Sequence, residues 1–416
     1  LTTTNLVGKE LEQAVVAATQ LNLAPRRFAL LREKGILSRQ GRTLPFDERA
    51  DGFVRSEGLG AVIVKPLALA LADGDHVYAV VKSVGVWHGG KSLGMTAPNA
   101  GAHHAAMTQA IAASGVGVDA IGYVEAHGTG MNLGDASEAD AIVRTFADLG
   151  RRPDHDCVLS ASKSVLGHLE AASGVAALAK AVLALRERRV PGIAGYAVAN
   201  RQAPLAGLRV SAATQPLPEG TRCAGLNSYG LGGVSAFVVL EGRDAPTAAT
   251  NAPEPGVFVL SAHNERTLDR YLARLSAFLR TAPRDYAFGD LLANYQRRRE
   301  VMAHRVAIVA SDADDLAARI DAFRRGEAVD GLHATRQGCA KEIVERSLLD
   351  GWIEAGEWGA IGRAWVGGSV VPWPDGGEPR RPFPEYPFDN DRAFWVGRNA
   401  EEAAPAPPQQ HVMLSV

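Results

Sequence analysis

The chain has 416 residues, 46% of them hydrophobic, which is enough for two domains and a large buried core and argues against disorder. Its 44 lysines and arginines nearly balance 46 aspartates and glutamates, so no basic excess indicates a nucleic-acid partner. No run approaches the ~18 apolar residues of a membrane span, no signal peptide is visible, and three scattered cysteines suggest neither a disulfide framework nor a zinc set. We therefore expect a cytoplasmic protein.

Strands and helices are predicted to alternate over the first 240 residues. The apolar run Ala14–Ala18 is typical of a buried strand. Further strands are predicted at 59–64, 77–84, 121–124, 158–161 and 234–240. Helices are predicted at 28–34, 105–114, 137–146 and 174–186, with Glu138 in the first turn of the third. This alternation indicates a layered α/β sheet.

A linker rich in Pro and Ala is predicted at residues 244–256. Two similar β-α units follow within residues 257–335. Each unit pairs a strand with a helix: 257–261 with 265–280, and 306–311 with 314–325. This segment is predicted to form a small α/β subdomain, and nothing catalytic is visible in it.

Two histidine loops follow predicted strands, with a lysine between them. The first is Val-Glu-Ala-His-Gly-Thr-Gly around His127, and the second is Ser-Lys-Ser-Val-Leu-Gly-His-Leu-Glu with Lys163 and His168. In α/β folds, chemistry collects where loops leave the carboxyl ends of strands. Two imidazoles at one site can polarise a carbonyl and stabilise an enolate near neutral pH. Either histidine alone could be an ordinary turn residue, but the two loops together favour one site.

Three further segments complete a family pattern. Residues 45–58 resemble the PFD…ADGFVRGEG segment, residues 96–99 match TAPN, and residues 225–233 are similar to the gate loop of β-ketoacyl synthase (ketosynthase) domains from modular polyketide synthases. With the histidine loops, these motifs cover about residues 10–241 in the family's order. The resemblance implies a thiolase-like layered α/β fold with an incomplete N-terminal half, followed by the small subdomain.

The resemblance also implies a reaction, the decarboxylative Claisen condensation of an acyl thioester with malonyl-acyl carrier protein. It assigns His127 and His168 to the malonyl thioester carbonyl and its enolate. A buried lysine must be paired, and the family's partners for Lys163 correspond here to Glu138 and, more weakly, Asp135. These residues form the predicted catalytic set.

Substrate contacts follow from the same resemblance. Thr129 is expected to hold the pantetheine amide, the amide of Leu231 to join an oxyanion hole, and Ser235 to lie near the malonyl carboxylate. The complete predicted substrate-binding set is Thr129, Asp135, Leu231, Gly232 and Ser235. The chain shows three departures from the family: Met131 replaces a threonine, Leu231 replaces the gate phenylalanine, and Val234-Ser235 replaces Thr-Asn. These departures predict an unusual substrate or reduced condensation.

The family's nucleophilic cysteine lies in a Thr-Ala-Cys-Ser-Ser turn, and no cysteine here has that context. Cys157, Cys223 and Cys339 are each interpreted as small buried or inert thiols. Since the chain begins with Leu1 and enters the fold partway, we expect the nucleophile half to be missing from this polypeptide. Residues 1–243 are then the C-terminal portion of a ketosynthase.

The tail carries one more resemblance. Residues 381–388 and 392–395 are similar to the family's LPTYPF…RYW segment, which wraps over the ketosynthase. Residues 336–396 are therefore interpreted as a wrapping strap, and residues 397–416 as a flexible tail. No acyltransferase domain precedes the strap, which resembles polyketide synthases whose acyltransferase is a separate protein.

The resemblance implies no metal and no cofactor bound by this chain, since the substrates travel on the phosphopantetheine of an acyl carrier protein. Expected partners are that carrier protein, the missing N-terminal half or other polyketide synthase domains, and a second copy in a homodimer. One alternative is a non-catalytic scaffold that docks carrier proteins, although the intact His127, Lys163 and His168 favour an enzyme. A thiolase-type enzyme is a poorer third hypothesis, because its histidine motifs differ.

Overall fold

The computed structural model describes residues 11–90, 98–243, 255–281, 286–335, 343–374 and 381–388. The chain divides into two compact units, Leu1–Pro246 and Thr247–Val416. The boundary falls inside the predicted linker, of which residues 244–254 lie outside the described residues. Within the described ranges, no helix reaches the length and apolar character that a bilayer span requires.

The first unit contains every strand and helix predicted for it, with shifted ends. Its strands are β1 (Ala14–Gln20), β2 (Gly58–Val64), β3 (Ala79–His88), β4 (Ile121–Glu125), β5 (Cys157–Ser160), β6 (Arg189–Val190), β7 (Leu208–Arg209), β8 (Gln215–Pro216), β9 (Cys223–Tyr229) and β10 (Val234–Gly242). Its helices are α1 (Pro25–Glu33), α2 (Leu67–Ala72), α3 (Ala100–Ser114), α4 (Asn132–Asp148), α5 (Lys163–Leu166) and α6 (Ser173–Glu187), with 3₁₀ turns at Val118–Ala120 and Glu170–Ala172.

A six-stranded sheet in the order β3-β10-β9-β4-β5-β7 forms the centre of this unit. Helices α3 and α4 cover one face with buried side chains such as Met107 and Ile142. Helix α6 covers the other face, where Ala181 and Leu185 pack in one cluster with Tyr123. The result is a three-layer α/β/α arrangement, as the alternating pattern predicted.

The sheet brings three loops to one edge. Strand β4 pairs in parallel with β5 on one side and with β9 on the other. Because parallel strands end at the same edge of a sheet, the segments that follow these three strands emerge together. The two histidine loops and the glycine-rich turn after Tyr229 therefore share that edge.

Strands β1 and β2 form a separate antiparallel two-stranded sheet. Its inner face packs against helix α6 of the same unit. There Gly60 lies so close to Val175 that a Cβ on the glycine would come within 2.6 Å of the valine. Its outer face is open: Val15 is 69% exposed, Leu59 77% and Ile63 74%. The predicted strand at 14–18 is present, but its predicted burial is wrong, because an apolar run does not show how many faces of a strand are covered.

The second unit is a small sheet covered on both faces. Its antiparallel strands, in the order β11-β12-β13, are β11 (Gly256–Ala262), β12 (His304–Ala310) and β13 (Leu332–Ala334). Its helices are α7 (Glu265–Thr281), α8 (Phe288–Arg297), α9 (Ala313–Arg324), α10 (Arg346–Ala355) and α11 (Trp358–Gly367). Helices α7 to α9 pack on the face with Phe258, and α10 and α11 pack on the face with Val257.

Helices α10 and α11 correct the interpretation of residues 336–396 as a strap. They belong to the fold of the second unit, because Leu349, Ile361 and Trp365 bury apolar surface on its sheet. Of the described residues in this range, 381–388 form neither helix nor strand, which is compatible with a strap. There Phe383 enters the core of this unit, and the hydroxyl of Tyr271 donates to the Pro384 carbonyl at 3.0 Å. Residues 392–395 lie outside the described residues.

Candidate active site

The backbone around His127 is held from three sides. The carboxylate of Glu138 accepts hydrogen bonds from the His127 N–H at 2.8 Å and the Gly128 N–H at 2.9 Å. The ammonium of Lys163 donates to the His127 carbonyl. The amide of Asn227, on β9, donates to the same Glu138 carboxylate at 2.8 Å. The position of His127 is thus fixed by charged groups that do not touch its ring.

The ring of His127 is held in one tautomer. The backbone N–H of Tyr229 donates to its Nδ1 at 3.2 Å. A backbone N–H can only donate, so Nδ1 is the acceptor and we assign the proton to Nε2. The ring therefore offers its Nε2–H as a hydrogen-bond donor.

The ring of His168 is held in the same way. The backbone N–H of Glu170 donates to its Nδ1 at 3.0 Å, and the Ser173 hydroxyl lies 2.8 Å from the same atom. The proton is again assigned to Nε2. The two histidine rings lie 5.7 Å apart, centroid to centroid, with planes at 84°. The site thus holds two neutral imidazoles whose Nε2–H groups have no protein acceptor in the described part of the chain.

Burial and nearby cations keep both rings neutral. Desolvation, with the charge of Lys163 as the next cause, holds the pKa of His127 well below its usual range. The same causes, in the same order, lower the pKa of His168 to about 3. Desolvation also lowers the pKa of Lys163 to about 8, although nearby carboxylates oppose this shift. At neutral pH the site therefore contains two neutral imidazoles beside a mostly protonated lysine.

The predicted ion pair between Lys163 and Glu138 or Asp135 is not formed as a direct contact. Among the described residues, no carboxylate oxygen lies within salt-bridge distance of the lysine, whose hydrogen bond goes to the His127 carbonyl. Both oxygens of Glu138 are already taken by backbone and amide N–H groups. Lys163 and Glu138 thus act on the same peptide from opposite ends, and their charges interact through space.

Asp135 connects the first histidine loop to the segment around Phe46. Its carboxylate accepts from the Phe46 N–H at 2.8 Å and from the Thr129 N–H at 3.1 Å. Because α4 begins at Asn132, the first-turn acid is Asp135. The prediction that Glu138 occupies the first turn is therefore wrong by one turn. Thr129 lies on this loop, as the sequence predicted.

The glycine-rich turn lies directly after the contact to His127. Leu231 is 63% exposed, and its N–H and that of Gly232 bond to no acceptor in the described part of the chain. Both amides are thus available to a bound oxygen atom. Ser235 is different: it is buried, and its hydroxyl lies 2.8 Å from Nδ1 of His103. The contact that the sequence predicted for Ser235 is occupied by a histidine.

Several functional contacts were missed at the sequence level. Asn227 and Tyr229 lie inside the recognised gate loop, so their strand position next to β4 was a usable signal. Ser173 follows His168 by five residues and had no motif of its own. Buried Glu125 accepts from the Ser162 N–H at 2.6 Å and pairs with Lys180 at 2.9 Å. The bond to Ser162 fixes the start of the second histidine loop. The contacts of Ser173, Glu125 and Lys180 have no such signal in the sequence.

The described cysteines do not form part of this site. Cys157 and Cys223 are buried, and burial raises the pKa of their thiols to about 12 and about 11. A thiol with so high a pKa is a poor nucleophile at neutral pH. Cys339 lies outside the described residues.

Comparison with protein families agrees with this geometry. Residues 2–70 match the N-terminal domain of beta-ketoacyl synthase, residues 78–197 match its C-terminal domain, and residues 201–309 match the ketoacyl-synthetase C-terminal extension. The chain belongs to the β-ketoacyl synthase family. The matches at residues 2–70 and 78–197 place this chain across the junction of the family's N-terminal and C-terminal domains.

Relatives and solved structures are of the same kind. Polyketide synthase PksR of Bacillus subtilis is 33% identical over 96% of this chain, and polyketide synthase ThaG of Burkholderia thailandensis is 32% identical over 93%. The chain spans only 17% and 7% of these relatives. The ketosynthase from module 6 of the bacillaene synthase of Bacillus subtilis matches with a TM-score of 0.83 and 29% identity, over 93% of this chain and 70% of that one. An oxazolomycin ketosynthase domain from Streptomyces albus gives 0.80 and 32%, over 93% and 66%. The fold is the thiolase-like ketosynthase fold, as predicted.

The neutral state of the histidines leads to a testable expectation. In ¹⁵N-histidine spectra recorded from pH 5 to pH 8, His127 and His168 should each stay in one neutral tautomer. In the unfolded chain they should titrate near pH 6.5. The unfolded state then binds more protons below pH 6.5, so the unfolding free energy should fall on acidification, by up to about 1.4 kcal/mol per pH unit for each ring. A midpoint near 6.5 for either ring in the folded chain would contradict the assignment.

Proposed function

We propose that this chain supplies the histidine and lysine part of a polyketide ketosynthase site that catalyses decarboxylative Claisen condensation. The observation that carries the proposal is the pair of neutral imidazoles, each with Nδ1 occupied by a backbone N–H and Nε2–H free to donate. Two such donors suit a single carbonyl oxygen on which negative charge develops.

The step follows from those donors. The malonyl thioester oxygen accepts hydrogen bonds from Nε2–H of His127 and of His168. The bond from the methylene carbon to the carboxylate breaks, carbon dioxide leaves, and the electron pair moves onto the thioester oxygen as an enolate. The enolate carbon then attacks an acyl thioester on a cysteine, a carbon–carbon bond forms, and the cysteine thiolate leaves. The developing oxyanion requires hydrogen-bond donors throughout the step, and a neutral imidazole that carries its proton on Nε2 is such a donor.

Lys163 and Glu138 are positioning residues in this scheme. Both bind the peptide of His127 and neither touches its ring. The positive charge of Lys163 also opposes protonation of both rings. In this scheme the free amides of Leu231 and Gly232 provide the oxyanion contact for the acyl thioester, and Thr129 holds the pantetheine amide.

The nucleophile and the carriers come from elsewhere in this proposal. A cysteine-bearing ketosynthase segment, on the same gene product or another, completes the site. An acyl carrier protein delivers both thioesters on phosphopantetheine, and a separate acyltransferase loads the malonyl group. The completed enzyme is a homodimer, and its class is that of an acyltransferase.

The cysteines of this chain should not accept an acyl group. We expect that incubation of the purified chain with an acyl carrier thioester gives no covalent acyl-enzyme in intact-protein mass spectrometry. The reason is that burial leaves Cys157 and Cys223 protonated and inaccessible. Stable acylation at Cys157, Cys223 or Cys339, with turnover, would overturn the proposed division of labour.

A further inference from the structure

His103 is a third histidine close to the site, and no step of the proposed reaction uses it. It lies in the first half of α3 and is buried. Its ring stacks on the ring of Tyr229, with centroids 3.7 Å apart and planes 14° apart. Its Nδ1 lies 2.8 Å from the hydroxyl of Ser235. One imidazole thus contacts two residues on two different strands.

Those two residues face each other across the sheet. Ser235 on β10 is the direct register partner of Tyr229 on β9, and this pair lies at the strand ends next to the exposed turn 230–233. Strand ends that border an exposed glycine turn have few contacts to hold them. His103 closes this end of the ladder from the layer of α3.

The position of this strand end matters for His127. The Tyr229 N–H is the donor that occupies Nδ1 of His127, at 3.2 Å. This bond depends on the position of the strand end that carries Tyr229. Without that donor, Nδ1 of His127 would no longer be held as an acceptor, and the Nδ1–H tautomer would become accessible alongside the Nε2–H tautomer.

We propose that His103 is a positioning residue: by holding Ser235 and Tyr229 together, it keeps the tautomer of His127 fixed. Burial lowers the pKa of His103 to about 4, so the ring acts as a neutral hydrogen-bonding and stacking group at physiological pH. This role rests on the proposed function, in which His127 donates from Nε2. It adds a residue outside the histidine loops to the machinery of the site.

The test is the tautomer of His127 in ¹⁵N-histidine spectra of the full chain. His103→Ala removes both the stacking and the hydrogen bond, Ser235→Ala removes the hydrogen bond alone, and His103→Phe keeps a flat ring on Tyr229. We expect His127 to change from a single Nε2–H tautomer to a mixture in His103→Ala and Ser235→Ala. His168, which is held by Glu170 and Ser173, should keep its tautomer in the same samples and serves as an internal control.

A neighbouring residue provides the matched variant. His104 lies on the same helix and points to Asp148, with Nε2 and Oδ2 2.9 Å apart, so His104→Ala should leave His127 unchanged. A single Nε2–H tautomer of His127 in both His103→Ala and Ser235→Ala would overturn the proposal. If His103→Ala unfolds, His168 also titrates near pH 6.5 in that sample. The test then rests on Ser235→Ala and on His103→Phe, which loses the hydrogen bond to Ser235, and a single Nε2–H tautomer of His127 in both would overturn the proposal.

Activity gives a second readout. In the completed enzyme, His103→Ala should lower kcat for malonyl decarboxylation and leave KM nearly unchanged, because the lost donor acts in the transition state. A completed wild-type enzyme without any decarboxylation would instead contradict the proposed function, while the tautomer of His127 would still report on His103.

Discussion

Replacement of His127 by alanine is expected to lower malonyl decarboxylation by about 10²–10³-fold in the enzyme completed with a cysteine-bearing segment, and His168→Ala should act alike. Each variant removes one of two donors to the same developing oxyanion, and this loss corresponds to about 2.7–4 kcal/mol of transition-state stabilisation. The assay is release of carbon dioxide from malonyl-acyl carrier protein.

The double variant separates one shared site from two independent ones. If both rings act on one oxygen atom, the combined loss should be smaller than the product of the two single losses, since groups that act as a unit are not additive. His104→Ala, on the outer side of α3, provides the control and should retain the wild-type rate. Unchanged decarboxylation in both single variants would show that the assigned roles are wrong.

The purified chain alone is expected to self-associate through the outer face of the β1–β2 sheet. That face presents Val15, Leu59 and Ile63, each more than two-thirds exposed. Every 100 Å² of apolar surface left uncovered forgoes roughly 2.5 kcal/mol, against a total stability of about 5–15 kcal/mol. An open apolar sheet of two strands also offers unpaired edges to another copy.

Two substitutions on this face test the expectation. Leu59→Thr combined with Ile63→Thr places β-branched residues at both positions and removes the two most exposed apolar side chains of this face. Light scattering and sedimentation should then show less association than in the unmodified chain. Val62→Thr, on the half-buried inner face of the same strand, should not reduce association.

Limited proteolysis should cut the first 240 residues before the second unit, whose sheet is covered on both faces. A monomeric unmodified chain with protease-resistant residues 10–65 would contradict this account.

Six strands and four helices of the first unit could be predicted because they are long apolar or amphipathic runs, whereas β6 to β9, α2 and α5 were not predicted. The meeting of His127 and His168 could be predicted as well, since both follow parallel strands that end at one edge. Which faces of β1 and β2 are covered could not be predicted, because an apolar run does not show how many faces of a strand are buried. Helices α10 and α11 were missed since residues 336–396 were interpreted through a strap motif, although their tryptophans lie at helical spacing.

The bonding partners within the site depend on competition that the sequence does not show. Glu138 accepts from three N–H groups, those of His127, Gly128 and Asn227. Lys163 donates instead to the His127 carbonyl. The contact between His103 and Ser235 joins residues 132 positions apart. Only the packing of α3 on the sheet brings them together; Ser235 belongs to the gate-loop motif, but no local pattern marks His103 as its partner.

We propose that this chain holds the decarboxylating half of a condensing site and uses a cysteine from another segment. The direct measurement combines an acyl carrier thioester, malonyl-acyl carrier protein and the chain, with and without a cysteine-bearing ketosynthase segment, and follows the carrier by intact-protein mass spectrometry. We expect a β-ketoacyl-acyl carrier protein in the complete mixture. None should form with either segment alone, or when the chain carries His127→Ala combined with His168→Ala. A β-ketoacyl product from the chain alone, or its undiminished formation by the double variant, would contradict it.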